Sequence, residues 1–236
     1  VAIVDGTAPH VVEPKYPGVV EEYVNLGRGY QREELQAIKG EIMSCMTGYK
    51  ACYQRAYRCL GAAAAIQEDL RATLTTPALE ERLAKRARGI LSRELKARLS
   101  LPGQVKQRFL GAVTHKGVMT LYDTALVQCS KVYELSDRCG LAHPMLLQLL
   151  SGAVEKGYDV VACPDPMAPQ RLAHLLIPQA GLAFLTTSSD QPLPEKPWRR
   201  IRMETGVGSD LMHRSRPRIR FAQKVGEALM EEAVAS

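Results

Sequence analysis

Between an apolar run at 131–136 and a helical pattern at 145–156, the chain places Asp137, Arg138, Cys139, Gly140, Leu141, Ala142, His143 and Pro144 ahead of Met145. Strand, tight loop and helix form the layout of a phosphate loop, whose signature G-x-x-x-x-G-K-[ST] wraps backbone N–H groups around an anion. In that frame Asp137 stands at the first glycine, Ala142 at the second, His143 at the lysine and Pro144 at the hydroxyl residue. Every signature position is substituted.

The substitutions remove the chemistry one part at a time. Glycines let several N–H groups turn inward at a helix N-terminus. The lysine meets the outer phosphates, and the Ser/Thr hydroxyl holds Mg²⁺. Pro144 has neither N–H nor hydroxyl, His143 is shorter than lysine and largely neutral at pH 7, and Asp137 sets a negative charge where a phosphate would approach. Gly140 and the helix dipole remain. The loop is therefore expected to bind nucleotide weakly at residues Asp137, Arg138, Gly140, Ala142, His143, Pro144 and Met145, and not to hydrolyse it. A small-molecule kinase is disfavoured, because the lysine that grips the donor phosphate is missing.

A second cationic feature lies late in the chain: Arg199, Arg200 and Arg202, then Arg214, Arg216, Arg218 and Arg220. The last four alternate, so an extended segment would set them on one face for phosphate or nucleic acid; a solvated basic edge is the plainer reading. Cys45, Cys52 and Cys59 repeat every seven residues and none of the six cysteines forms C-x-x-C, which favours a packing seam over metal or redox chemistry. Tyr49, Tyr53 and Tyr57 make a stripe on one face, read as packing rather than base stacking. His10, His115, His143 and His174 show no metal-ligand spacing, and no Ser-His-Asp, G-x-S-x-G or H-E-x-x-H pattern occurs. The segment from Cys163 to Asp165 reads first as a proline-shaped turn and second as the lip of a ligand site.

The elements that would position these residues read as α/β. The segment 1–5 reads as a buried strand ending at Asp5. A turn-rich stretch to residue 29 and a long helical pattern at 31–73 follow. Thr76-Pro77 opens a further helix whose inner face is Leu79, Leu83, Ile90, Leu91 and Leu95. Strands are expected at 108–114, 131–136, 158–163 and 182–187, alternating with helices at 121–129, 145–156 and 168–176. Such alternation means a parallel sheet with covering helices. An amphipathic helix at 222–234 closes the chain.

At 236 residues, 46% hydrophobic and 24% charged, with a net charge of +6, the composition is that of a globular domain or two small ones. No apolar run approaches the length of a membrane span. Unpaired cysteine spacing makes a reduced, cytoplasmic setting the default expectation.

The segment 1–7 aligns in order with 182–188, each an apolar strand running into a small polar turn. This suggests an internal repeat, whose first copy would lack about 70 residues ahead of Val1. The chain resembles a bacterial family of tandem P-loop ATPase-like proteins, with two P-loop NTPase domains per polypeptide. The resembling stretches are 1–10, 14–18, 24–27, 109–114, 156–160, 163–166 and 174–178, of which the first is the most specific. The resemblance implies ATP and Mg²⁺ as ligands, a working phosphate loop upstream of Val1, and Asp5 as a Walker-B-like acid; a strand-end turn residue is the other reading of Asp5. It divides the chain into a largely helical remainder of a first repeat, 1–104, and a second, degenerate P-loop domain, 105–236. Unsatisfied strand edges would favour a homo-oligomer or association with the missing front. The leading expectation is thus a P-loop ATPase-like protein without hydrolysis in this chain. The alternative is a non-enzymatic phosphate or nucleic-acid module built on the arginines between 199 and 220.

Overall fold

The computed structural model describes residues 3–5, 12–98 and 102–236. It divides into two compact units, 1–50 and 51–236. In the first unit a turn carries Gly18 at φ +77° between Tyr16 and Glu21, and a helix α1, Arg32–Ala37, follows. Helix α2, Lys39–Leu74, begins after a break at Ile38. The continuous helical pattern expected at 31–73 is therefore two helices.

The inner face expected along α2 is buried only in its last third, at Ala63, Leu70, Arg71 and Leu74. Tyr49, Tyr53 and Tyr57 are exposed, as are Cys45 and Cys52. The opening strand is a further departure: Ile3 is 98% exposed and residues 3–5 have no strand structure, while Val1 and Ala2 lie outside the described residues.

Helix α3, Pro77–Glu94, starts as its sequence dictates. Thr76 accepts the Leu79 N–H at 3.2 Å, satisfying one of the unpaired donors of the first turn, and Pro77 needs no such partner. Leu79, Leu83, Ala87, Ile90 and Leu91 form its buried stripe, as the spacing predicts.

The second unit is built on a six-stranded sheet. Its strands are β1 (Val105–Gln107), β4 (Lys131–Ser136), β5 (Val160–Asp165), β6 (Ala168–Ile177), β7 (Leu182–Thr187) and β8 (Arg199–Arg202). Their spatial order is β1-β5-β6-β7-β4-β8. Every strand runs the same way except β6, which is antiparallel to both neighbours. Helix α4 (Tyr122–Gln128) precedes β4, helix α5 (His143–Glu155) joins β4 to β5, and helix α6 spans Ser209–Ala235.

Side chains alternate between two cores, as a sheet covered on both faces requires. Tyr133, Leu135, Leu175, Ile177, Leu182 and Phe184 point into the larger core with α3 and α5. Val132, Leu176, Ala183 and Leu185 point the other way, to Tyr122 and Ala125 of α4. Tyr133 and Phe184 stack across β4 and β7 with ring centroids 5.2 Å apart. α3 and α5 meet at Gly152, where an added Cβ would lie 2.4 Å from Leu91 Cδ1.

Two sheet expectations change. The helix expected at 168–176 is strand β6. Its apolar run from Leu172 to Ile177 carries no period that separates helix from doubly covered strand, and Pro166-Met167 turns the chain straight back on β5. The strand expected at 108–114 is not part of the sheet: β2 (Gly111–Thr114) pairs antiparallel with β3 (Gly117–Thr120) in a separate hairpin, and the sheet takes the preceding Val105–Gln107 instead. The short His115-Lys116 connection makes that local pairing available without a crossover. α3 shares one core with the sheet.

Candidate functional site

The strand–loop–helix frame is present: β4 ends at Ser136, the loop occupies 137–142 and α5 begins at His143. The Asp137 N–H extends the ladder to Thr187 O at 3.0 Å. Its side chain then turns inward and is 7% exposed. Oδ1 accepts the Cys139 N–H at 3.1 Å and Oδ2 accepts the Ala142 N–H at 2.7 Å. Gly140, at φ +71°, supplies the left-handed residue that lets the loop close around this carboxylate. Two of the loop's backbone donors are thus engaged by the chain's own carboxyl group.

Burial pushes the Asp137 carboxyl above the ordinary aspartate range, against the pull of backbone donors from Leu141, Ala142 and Cys139; Glu204 pushes it up further. The Arg138 N–H leaves the loop for Glu204 Oε1, 2.7 Å away, and the Arg138 guanidinium lies outside with Nε 3.7 Å from that oxygen. Met145 is fully buried in the core, and Pro144 sits in the first turn of α5. Neither faces a ligand position.

His143 does not stand in for lysine. Its Nδ1 accepts the Leu172 N–H at 2.9 Å, so the neutral ring carries its proton on Nε2. Burial lowers its pKa first, helped by Arg171 and Arg71. Those arginines come from β6 and α2. Arg171 Nη2 donates to Gly140 O at 2.9 Å, and Arg71 packs on Gly140 while donating through Nε and Nη2 to Glu68 Oε2 at 3.0 and 2.7 Å.

Arg214, Arg216, Arg218 and Arg220 lie within α6 rather than on an extended segment. At 100° per residue the alternation falls on two faces: Arg214 with Arg218, and Arg216 with Arg220. Arg218 pairs with Asp69, and Arg200 holds the buried Glu134 at 2.5 Å. Asp5 is exposed and lies outside any strand. Asp165 Oδ1 accepts the Met167 N–H at 2.9 Å, which makes the segment after Cys163 a capped hairpin turn. Among the described residues no group of three or more His, Cys, Asp or Glu side chains could hold a metal.

The implied ATP and Mg²⁺ do not fit the residues of the loop. Its cradle holds Asp137, the lysine position holds a histidine facing β6, and the hydroxyl position holds a proline. Sequence reasoning took Asp137 as a repelling charge and missed its role as occupant. An aspartate two residues ahead of a turn N–H is the signal that shows it. Arg71, Arg171 and Glu68 were missed outright, being far from the loop in sequence. No family model matches the chain, and no curated protein or solved structure matches it.

Proposed function

We propose that the chain is a P-loop ATPase-like domain whose phosphate position is filled by its own Asp137, so that it does not hydrolyse nucleotide and binds it at most weakly at 137–145. The observation that carries this reading is the pair of hydrogen bonds from Cys139 and Ala142 to the two Asp137 oxygens. The domain then acts as a rigid scaffold whose loop is closed without ligand. The alternative, a nucleic-acid module on Arg214, Arg216, Arg218 and Arg220, has less support because α6 splits them between two faces and Arg218 is paired.

Calorimetric titration with Mg·ATP tests the proposal. The unmodified chain is expected to show no hydrolysis and a Kd of about 1 mM or weaker. The fourfold replacement Asp137→Gly, Ala142→Gly, His143→Lys and Pro144→Ser is expected to bind at least about tenfold more tightly, a gain of about 1.4 kcal/mol. Tight Mg-dependent binding by the unmodified chain that survives Gly140→Pro would overturn it, as would a fourfold variant that folds and gains nothing.

A further inference from the structure

Outside the filled loop, three side chains from three elements converge on the N-terminus of α5: Arg71 from α2, Arg171 from β6 and His143 from α5 itself. Two of them are fixed from behind: Arg171 Nη2 donates to Gly140 O at 2.9 Å, and His143 Nδ1 accepts the Leu172 N–H at 2.9 Å. Arg71 packs on Gly140 and donates through Nε and Nη2 to Glu68 Oε2. Each keeps a donor in reserve. Arg71 Nη1, Arg171 Nη1 and the protonated Nε2 of His143 carry no hydrogen bond to any described residue.

Glu68 lies between the arginines, its Oε2 2.7 Å from Arg71 Nη2 and 4.0 Å from Arg171 Nη1. Its side chain is 58% exposed, whereas those of Arg71 and Arg171 are 9% and 19% exposed. A largely exposed acid therefore faces two more deeply buried guanidinium groups. Asp137 and Asp165 also act on Arg171, but Asp137 gives both oxygens to loop amides and Asp165 gives Oδ1 to its own turn.

We infer that Arg71, Arg171 and His143 form a binding site for the phosphate group of a small phosphomonoester, with Glu68 as an internal competitor that swings out to solvent when the ligand enters. Three donors approaching from separate elements suit a tetrahedral group with three free oxygens better than a planar carboxylate. The guanidinium forks supply the charge-assisted bonds, and the α5 N-terminus adds its dipole. His143 contributes a neutral donor, so the site needs no proton uptake to bind. The site uses none of the amides engaged by Asp137, and Arg71 and Arg171 lie outside the loop, so the Arg171 variants test it apart from the reading of the loop.

The test is calorimetric titration of the full chain with inorganic phosphate at constant ionic strength, with sulfate and acetate as comparison anions. Glu68→Gln is expected to tighten phosphate binding about fivefold or more, and Arg171→Gln to weaken it about tenfold. Arg171→Lys, which keeps the charge and loses the fork, is expected to fall between the parent and Arg171→Gln, and circular dichroism melts establish that each variant is folded. Sulfate is expected to compete and acetate not to. The inference is overturned if Glu68→Gln shows no phosphate binding up to about 50 mM. It is equally overturned if folded Arg171 variants bind as the parent does, or if acetate competes as well as sulfate.

Discussion

Asp137 Oδ2 accepts a hydrogen bond from the Ala142 N–H over 2.7 Å, closing the turn between β4 and α5 on a carboxyl group that belongs to the chain itself. Because burial raises this carboxyl above its ordinary value of 3.8, the folded state keeps the proton to higher pH than the unfolded chain. The stability this contributes is full below the unfolded value and is lost as pH rises through the folded one. Asp137→Asn cannot titrate. It is expected to cost about 1–3 kcal/mol at low pH, since an NH₂ then faces a loop N–H, and the gap to the parent should narrow as pH rises. Urea denaturation from about pH 4 to about pH 8 measures it; a gap constant across that range contradicts the expectation.

His174 gives the opposite slope. It is fully buried on β6, its Nδ1 accepts the Thr186 N–H at 3.1 Å, and burial lowers its pKa to about 4. On acidification the unfolded chain takes up this proton first. Stability attributable to His174 is therefore present above the unfolded value of 6.5 and is lost as pH falls toward 4. The loss is about 3 kcal/mol. His174→Gln should remove that acid-side decline in the same denaturation series, whatever its effect at neutral pH.

Thiol accessibility divides the six cysteines. Cys45 and Cys52 are exposed and Cys59 is half-buried. Burial pushes Cys129 up to about 11 and Cys139 and Cys163 to about 12. With a disulfide reagent at about pH 8, Cys45 and Cys52 are expected to react within minutes and Cys59 more slowly. The other three should wait for denaturant. Mass spectrometry of the native reaction that finds Cys129, Cys139 or Cys163 modified would mean that this core opens.

Gly152 and Leu91 form a matched pair at the α3–α5 contact. Gly152→Ala is expected to destabilise by about 1–3 kcal/mol through overpacking, despite the better helix propensity of alanine. Leu91→Ala alone should also cost stability. The double variant should cost less than the sum, because the smaller side chain makes room for the new methyl group. Simple additivity would place the contact elsewhere.

What could be read in advance, and what could not, follows from the range of the forces. Thr76-Pro77 with leucines at helical spacing fixes α3 locally, so its start and buried face were legible. The apolar runs at 131–136 and 182–187 became β4 and β7 because short buried strands flanked by turns have few other solutions. β6 was not legible: a strand covered on both faces loses its alternation, and only the tight turn at Pro166-Met167 decides its direction. The strand–loop–helix frame around residues 137–142 was readable, but Arg71 reaches Gly140 through tertiary packing alone, about which neighbouring residues say nothing.

The antiparallel β6 also bears on how the chain reaches its fold. β5, β6 and β7 are consecutive in sequence and adjacent in space, whereas β1, β4 and β8 reach the sheet over longer connections. Closing the short turns costs little chain entropy, so this three-stranded meander is expected to be ordered in the folding transition state. Leu176→Ala, inside it, should chiefly slow refolding, while Leu135→Ala on β4 should chiefly accelerate unfolding. The loop around Asp137 would then close last, on a sheet already assembled, and changes to it should leave the refolding limb of the chevron where it was.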